Sequence, residues 1–257
     1  MFNFILKRLV PIPIIEECKN VVFIGPHPDD IEIGCGAFVS LLKRKGAKVT
    51  FIVVTDGGCG IVKECDTIPY LIEVRKKEQE EACKVLKIDH LHMLNFPDGG
   101  EYNENDVAKE IAKLLVLYNP DLVVAPDPNL LNEIHPDHLR TGKAAQKGFF
   151  LSTNTLVLQR NNLETDGKNH SRILAYYYTH RPNQYVKVSK DDVKNMFEAI
   201  KKHQSQFPPN SEEYKGLKSY LTLRLRRMGM KRFSKYAMGF FVLGPVHQHC
   251  LSEVNEW

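Results

Sequence analysis

The chain predicts an α/β fold built on a largely parallel sheet, and three observations carry that expectation. Strand-like segments alternate with helix-like ones four times before residue 150, the order that builds parallel strands through helical crossovers. The strand-like runs are short, continuous and β-branched, as strands buried on both faces are. Polar clusters follow them, after residues 25, 55, 94 and 126, at the carboxyl ends where ligands bind in such sheets.

The elements follow in order. NVVFIG (20–25) is a buried strand that ends on glycine. AFVSLLKRKG (37–46) has helical spacing and a glycine stop. AKVTFIVVTDGG (47–58) is a second buried strand running into a turn, and YLIEVRKKEQEEACKVL (70–86) an amphipathic helix. HLHML (90–94) is a weaker strand that leads into the loop NFPDGGEYN. ENDVAKEIAKLLVLYNP (104–120) is a helix with acids in its first turn and an Asn-Pro stop, and DLVVAP (121–126) another buried strand. An irregular loop and a helix beginning near His138 come next. The second half is less regular. RILAYYYTH (172–180) and QYVKVS (184–189) read as strands. KDDVKNMFEAIKKHQSQF (190–207) reads as a helix whose Asp191 and Asp192 favour its positive end.

Composition narrows the class. The 257 residues are 43% hydrophobic and 26% charged, which suits one globular domain spanning 1–257. Within it, 1–19 reads as an arm, 20–150 as the core and 151–257 as a C-terminal elaboration. Thirty-five basic against 31 acidic residues leave a net charge of +4, which does not point to nucleic acid. No apolar run reaches the ~18–20 residues that span a bilayer. The N-terminal MFNFILKRLVPIPIIEE is broken by Lys7, Arg8, Pro11 and Pro13 and lacks a signal peptide's order, so an arm packed on the domain or on a neighbouring subunit is expected. Cys18, Cys35, Cys59, Cys65, Cys83 and Cys250 form no C-x-x-C pair and read as reduced thiols of a cytoplasmic protein.

Two clusters carry the chemistry. His27-Pro28-Asp29-Asp30 follows the first strand, and His135-Pro136-Asp137-His138 follows the fourth after a short loop. A parallel sheet brings both to one edge. Imidazole nitrogen with carboxylate oxygen suits a divalent metal such as zinc, and three protein ligands with one open position make a catalytic site. Proline fixes one backbone dihedral and stiffens each loop. Around a sharp turn, one of two adjacent aspartates binds the metal while the other takes a proton from water. A histidine of the second cluster then serves the oxyanion or the leaving group. A purely structural turn and a nucleotide loop stand beside this reading. GCG opens a helix, but G-x-G-x-x-G needs glycine at position 39, which is Val39. The glycines of the first cluster are expected to let the backbone turn tightly around the site.

PHPDDIEIGCGA together with HPDH resembles the LmbE-like, or PIG-L, family of zinc-dependent N-acetyl-sugar deacetylases. TDGG, Arg75 and Glu78, NFPDGG, HQSQF and YAMGFFVLG occur in that family's order. The D-D-x-E-I-G form resembles its bacillithiol-type and diacetylchitobiose-type branch. The resemblance implies a Rossmann-like three-layer sandwich. It implies one Zn²⁺ per chain on His27, Asp30 and His138, with Asp29 as general base and His135 at the oxyanion. It also implies Arg75 and Asp98 in the sugar pocket, with His247 as a further substrate contact. The activity it implies is removal of acetyl from an N-acetylglucosamine-type amide, by a homo-oligomer, trimer or hexamer. The substrate expected is a small N-acetylated sugar or sugar conjugate.

Other signals stay open at this level. Arg75, in EVRKKEQEE, otherwise reads as a surface helix residue, and Asp98 as a turn residue. His90 and His92 suit strand packing. His203 suits either the rim of the site or a solvated helix. His247 and His249 suit a second metal site, a neighbouring active site or an exposed strand. Glu32 suits a helix cap or a support of the site. The stretch 215–235 holds eight Lys/Arg and no acids, and reads as an interface or substrate-proximal helix before a nucleic-acid patch. Two other functions compete: a metal phosphoesterase, and an inactive metal-site scaffold or binding protein.

Overall fold

The computed structural model describes residues 2–61, 66–249, 251 and 253–254. Cys65 and Cys250 lie outside the described residues; Cys18, Cys35, Cys59 and Cys83 are free thiols. Seven strands form one sheet: β1 (Asn20–Gly25), β2 (Lys48–Thr55), β3 (His90–Phe96), β4 (Leu122–Pro126), β5 (Ile173–Tyr177), β6 (Gln184–Lys187) and β7 (Ala237–Leu243). Their spatial order is β3-β2-β1-β4-β5-β7-β6. β1 to β5 run parallel, and β7 runs antiparallel to β5 and β6.

Alternation explains why the inner strands are apolar throughout. Val21 and Phe23 of β1 face one side of the sheet, Val22 and Ile24 the other. On the first side lie α2 (Asp30–Arg44), α3 (Ile68–Leu86) and α7 (Lys190–Ile200). On the second lie α4 (Glu104–Tyr118) and α5 (Pro136–Ser152). The rings of Phe38 and Phe51 each stand edge-on to that of Phe23, at 5.9 Å between centroids. Helix ends use local chemistry: Asn103 caps α4, and Ser189 with Asp192 forms a capping box on α7. The remaining helices are α1 (Phe2–Leu9), the short α6 (Thr155–Arg160) and α8 (Glu212–Met230). The N-terminal arm packs on its own domain, where the Gln184 side chain ties Pro13 O and Ile15 N.

Two helix boundaries differ widely from the sequence pattern. α2 begins at Asp30, seven residues ahead of the apolar stretch at Ala37. Gly34 and Gly36 are therefore interior helix residues rather than turn residues. A Cβ at Gly34 would stand 2.5 Å from the Tyr177 ring, and one at Gly36 2.7 Å from the Met196 side chain. They permit close packing, not a tight turn. α7 ends at Ile200, so His203 to Phe207 form a loop that folds back on α2 and α3. The basic stretch is mostly helix, within α8.

The order reverses at β1. β2 and β3 add on one side, β4 and β5 on the other. The loops leaving β1 and β4 therefore open a crevice between them at the carboxyl edge, the place where open α/β sheets bind ligands. Phe23 lies fully buried at the centre of this frame. Phe23→Ala should cost about 3–5 kcal/mol, read as a lower urea midpoint at an unchanged slope.

Candidate active site

The first loop turns at Asp29, whose φ of 108° lies in the left-handed region that non-glycine residues rarely occupy. The turn sends the two adjacent carboxylates in different directions. Asp30, the first residue of α2, sits at the helix's positive end. Its Oδ2 accepts from His27 N at 3.1 Å and lies 3.0 Å from His27 Nδ1 and 3.4 Å from His138 Nε2. Tyr178 donates its hydroxyl to Asp30 O at 3.2 Å and stacks its ring parallel to His138.

The second loop is held by a residue that sequence reasoning did not single out. Glu133 accepts from His135 N through Oε1 and meets His138 Nδ1 through Oε2, both at 2.9 Å. That contact leaves His138 Nε2 facing Asp30. His135 caps α5, and its Nδ1 accepts from Asp137 N at 3.3 Å. The ring proton of neutral His135 is thereby placed on Nε2. The His135 ring lies 4.7 Å from that of His27 and 5.0 Å from that of His138.

Asp137 was also missed. It is fully buried and accepts from Gly99 N at 2.8 Å and Tyr102 Oη at 2.7 Å. Its Oδ2 lies 3.5 Å from His27 Nε2, and Asp98 Oδ1 lies 3.1 Å from the same nitrogen. His27 Nε2 is thus buried between two carboxylates, without a hydrogen bond of good geometry to either among the described residues. Two sets of side chains present donor atoms close enough to hold one ion: His27, Asp30 and His138, and His27, Asp98, His135 and Asp137.

Arg75 is not a surface residue. It is 3% exposed and faces inward from α3. Its Nη2 donates to Pro28 O at 2.6 Å and to Asp29 Oδ2 at 3.1 Å, and its Nη1 to Gly57 O at 2.9 Å. These contacts set it against the loops as a brace for Asp29. Asp98 accepts from Cys59 N at 3.0 Å and faces His27. His203 is fully buried, which overturns the solvated reading, and its Nε2 lies 3.8 Å from Glu32 Oε1. Glu32 caps nothing; it accepts from Gln79 Nε2 at 2.7 Å. Ser205 N and Oγ donate to Glu78, and Gln206 pairs with the Ile61 backbone, so HQSQF closes the floor of the site.

His247 stands elsewhere. β7 is antiparallel, so its end at Leu243 pairs with Leu174 at the start of β5, on the edge of the sheet away from the crevice. There His247 Nδ1 accepts from Gly244 N and its Nε2 lies 3.2 Å from Val10 O. It stands away from the crevice of its own chain, and neither it nor the exposed His249 joins a metal-binding group among the described residues. His92 meets Tyr118 Oη at 2.7 Å, and the His90 ring packs on the same tyrosine. Arg224 of α8 lies over the Tyr178 ring, which brings the basic helix to the edge of the site.

Charge is uneven across the cluster. Burial raises the Asp29 carboxyl to about 6, against the opposing pull of Arg75. Burial also works against the Asp30 anion, but His138 and His27 outweigh it and hold the carboxyl well below its ordinary range. Burial lowers His135, and the neighbouring His27 and His138 lower it further. The pair of acids is therefore split, one firmly anionic and one able to hold a proton.

Residues 22–148 match the PIG-L family, described as GlcNAc-PI de-N-acetylase. The chain is 31% identical over 241 residues to the diacetylchitobiose deacetylase of Thermococcus kodakarensis, covering 91% of this chain and 86% of that protein. It is 33% identical over 134 residues to a probable N-acetyl-alpha-D-glucosaminyl L-malate deacetylase 2 of Bacillus cereus, covering 49% of this chain and 59% of that one. Its structure is similar to that of the N,N'-diacetylchitobiose deacetylase from Pyrococcus horikoshii complexed with its inhibitor MPG. The TM-score is 0.86 at 31% identity, over 98% of this chain and 94% of that one.

The brace at Arg75 has a measurable consequence. Arg75→Met leaves the Asp29 carboxylate buried without its countercharge, and stability should fall by about 3–5 kcal/mol, read by urea denaturation.

Proposed function

The chain belongs to the PIG-L family, and from that premise we propose that it is a metal-dependent hydrolase that removes acetyl from an N-acetylglucosamine-type amide. The convergence of His27, Asp30 and His138 from two loops onto one point, with Asp29 turned aside beside them, carries this reading.

His27, Asp30 and His138 would hold the ion. The donor set fits: two imidazoles and a carboxylate are what Zn²⁺ takes, leaving an open position. Glu133 supports it by fixing the His138 ring, as carboxylates behind metal-bound histidines do. A zinc ion there supplies Lewis acidity toward the amide carbonyl and acidifies water.

The rest is done by the chain itself. Asp29 accepts the proton of the attacking water, and its raised pKa makes it a stronger base than an ordinary aspartate. His135 donates a hydrogen bond from Nε2 to the developing oxyanion, and the proton that Asp29 took from the water passes to the leaving nitrogen. Acetate and a free amine are the products. Asp98 and the Arg75 brace line the inner wall where the sugar enters, and Arg224 lies near its rim. We place the protein in the cytoplasm as a homo-oligomer, trimer or hexamer. Four free thiols support that compartment, and no helix among the described residues is long and apolar enough to cross a membrane.

The second donor set is the ground for a two-metal phosphoesterase. Both sets draw on His27, so a two-metal centre would have to share it between two ions. Elemental analysis should give one zinc per chain. Two per chain, with phosphate but no acetate released, would reverse the assignment.

Acetate release should be measured on N-acetylglucosamine, N,N'-diacetylchitobiose and N-acetylglucosaminyl malate. Asp29→Asn should keep its metal and lose roughly 10²–10⁴-fold in turnover; turnover like the parent's removes Asp29 as base. His138→Ala should lose the metal outright, and full occupancy strikes it from the ligand set. Glu133→Ala should weaken zinc roughly 10–100-fold in chelator competition.

A further inference from the structure

Behind Asp29 lies a chain of buried polar groups that the proposed reaction does not use. Asp29 N donates to Gln79 Oε1 at 3.2 Å, and Gln79 Nε2 donates to Glu32 Oε1 at 2.7 Å. His203 Nε2 stands 3.8 Å from that same Glu32 oxygen. Gln79, Glu32 and His203 are each 0% exposed. Among the described residues, Glu32 Oε2 and both His203 nitrogens have no hydrogen bond of good geometry; Glu32 is the nearest carboxylate to the imidazole, with the charges of Asp29 and Glu78 farther off.

The direction of the Gln79 amide follows. An N–H needs an oxygen and a carboxylate needs a donor, so the amide oxygen must face Asp29 and the amide nitrogen Glu32. The reverse orientation sets two donors together at Asp29 and two acceptors together at Glu32. Gln79 also lies one helical turn after Arg75 on α3. The two side chains therefore grip Asp29 at different points, Arg75 at the carboxylate and Gln79 at the backbone N–H. The residue they grip has the φ of 108°, a conformation that persists only where the surroundings impose it.

We propose that Glu32, paired with His203, fixes the Gln79 amide so that Gln79 holds Asp29 in its left-handed conformation, making the three of them positioning residues for the base. This rests on the assignment of Asp29 above. None of the three touches substrate; they act through the backbone of the residue that does.

The test uses the full-length protein with zinc bound. Hydrogen exchange of the Asp29 amide, followed by NMR, reads the clamp without reference to activity. Gln79→Met, of similar length and without the amide, should speed that exchange by about tenfold or more. Glu32→Met and His203→Leu should speed it in the same direction. On N,N'-diacetylchitobiose, Gln79→Met should lower kcat roughly 10–100-fold, with KM and zinc content near those of the parent. The double variant Gln79→Met/Glu32→Met should be no slower than Gln79→Met, because Glu32 acts only through the amide. The double variant also leaves neither group polar and unpaired against the other, so it serves if a single variant does not fold. Unchanged Asp29 exchange in Gln79→Met overturns the proposal. So do additive losses in kcat, or a loss of zinc in step with kcat. If the parent releases no acetate from any sugar tested, the deacetylase reading fails, and the exchange measurement alone decides the clamp.

Discussion

Two adjacent aspartates can serve one centre in different roles only if the chain turns between them. At Asp29 it does, with a positive φ that side chains normally avoid. The turn sends Asp30 inward at the start of α2, between His27 and His138, and leaves Asp29 to Arg75 and Gln79. Much of the surrounding structure accommodates that one residue. Gly34 and Gly36 let α2 lie close to Tyr177 and Met196, so the helix can begin immediately after the turn. α3 presents its brace from beneath. The strain is local, and the contacts that hold it come from distant parts of the chain.

The same turn settles the charge. Asp29, Asp30, Asp98 and Asp137 are all buried within a small volume, and like charges so placed cannot all ionise without countercharge. His27 lies against three of them. Burial works to lower its pKa, but Asp137, Asp30 and Asp98 together outweigh that and raise it. Arg75 serves Asp29 and stands 3.7 Å from Asp98. Asp137 takes neutral donors as well, from Gly99 and Tyr102. A divalent cation held by His27, Asp30 and His138 would supply positive charge to the same group of carboxylates.

The fold was largely legible because its signals are local. Continuous apolar runs marked β1, β2 and β4, and their alternation with helices implied parallel pairing. The two H-P-D motifs stood out because each follows such a run. What escaped was set by tertiary contact. The start of α2 was hidden because two glycines and three acids look like a loop, whereas the glycines answer to Tyr177 and Met196, far away in sequence. Arg75 looked solvated within EVRKKEQEE because its burial depends on loops from β1 and β2 closing over it. Gln79 sits beside charged neighbours and carries no motif; only its spacing of four from Arg75 placed both on one helical face. Glu133 had a nearer signal, lying two residues before His135 and five before His138, but its double contact depends on the loop's path. His247 lies away from the crevice of its own chain for a topological reason. It follows an antiparallel strand, whose end lies on the opposite edge from the ends of the parallel strands.

The division of labour along the chain bears on what the C-terminal part is for. The span matching the PIG-L family, 22–148, contains every proposed ligand and the proposed base. Tyr178, His203 and Arg224 lie beyond it, yet each meets the site: Tyr178 at the Asp30 backbone and the His138 ring, His203 at Glu32, Arg224 over Tyr178. The HQSQF loop likewise ties Glu78 and Ile61 from outside that span. Ligands delivered by loops at a switch point are only as well placed as the groups packed behind them. The parallel half supplies donor atoms, and the less regular half supplies the buried floor and one wall that hold them. Truncation after α5 would leave every ligand in the sequence and remove the surfaces that orient them, so the C-terminal part belongs to the site as much as to the sheet.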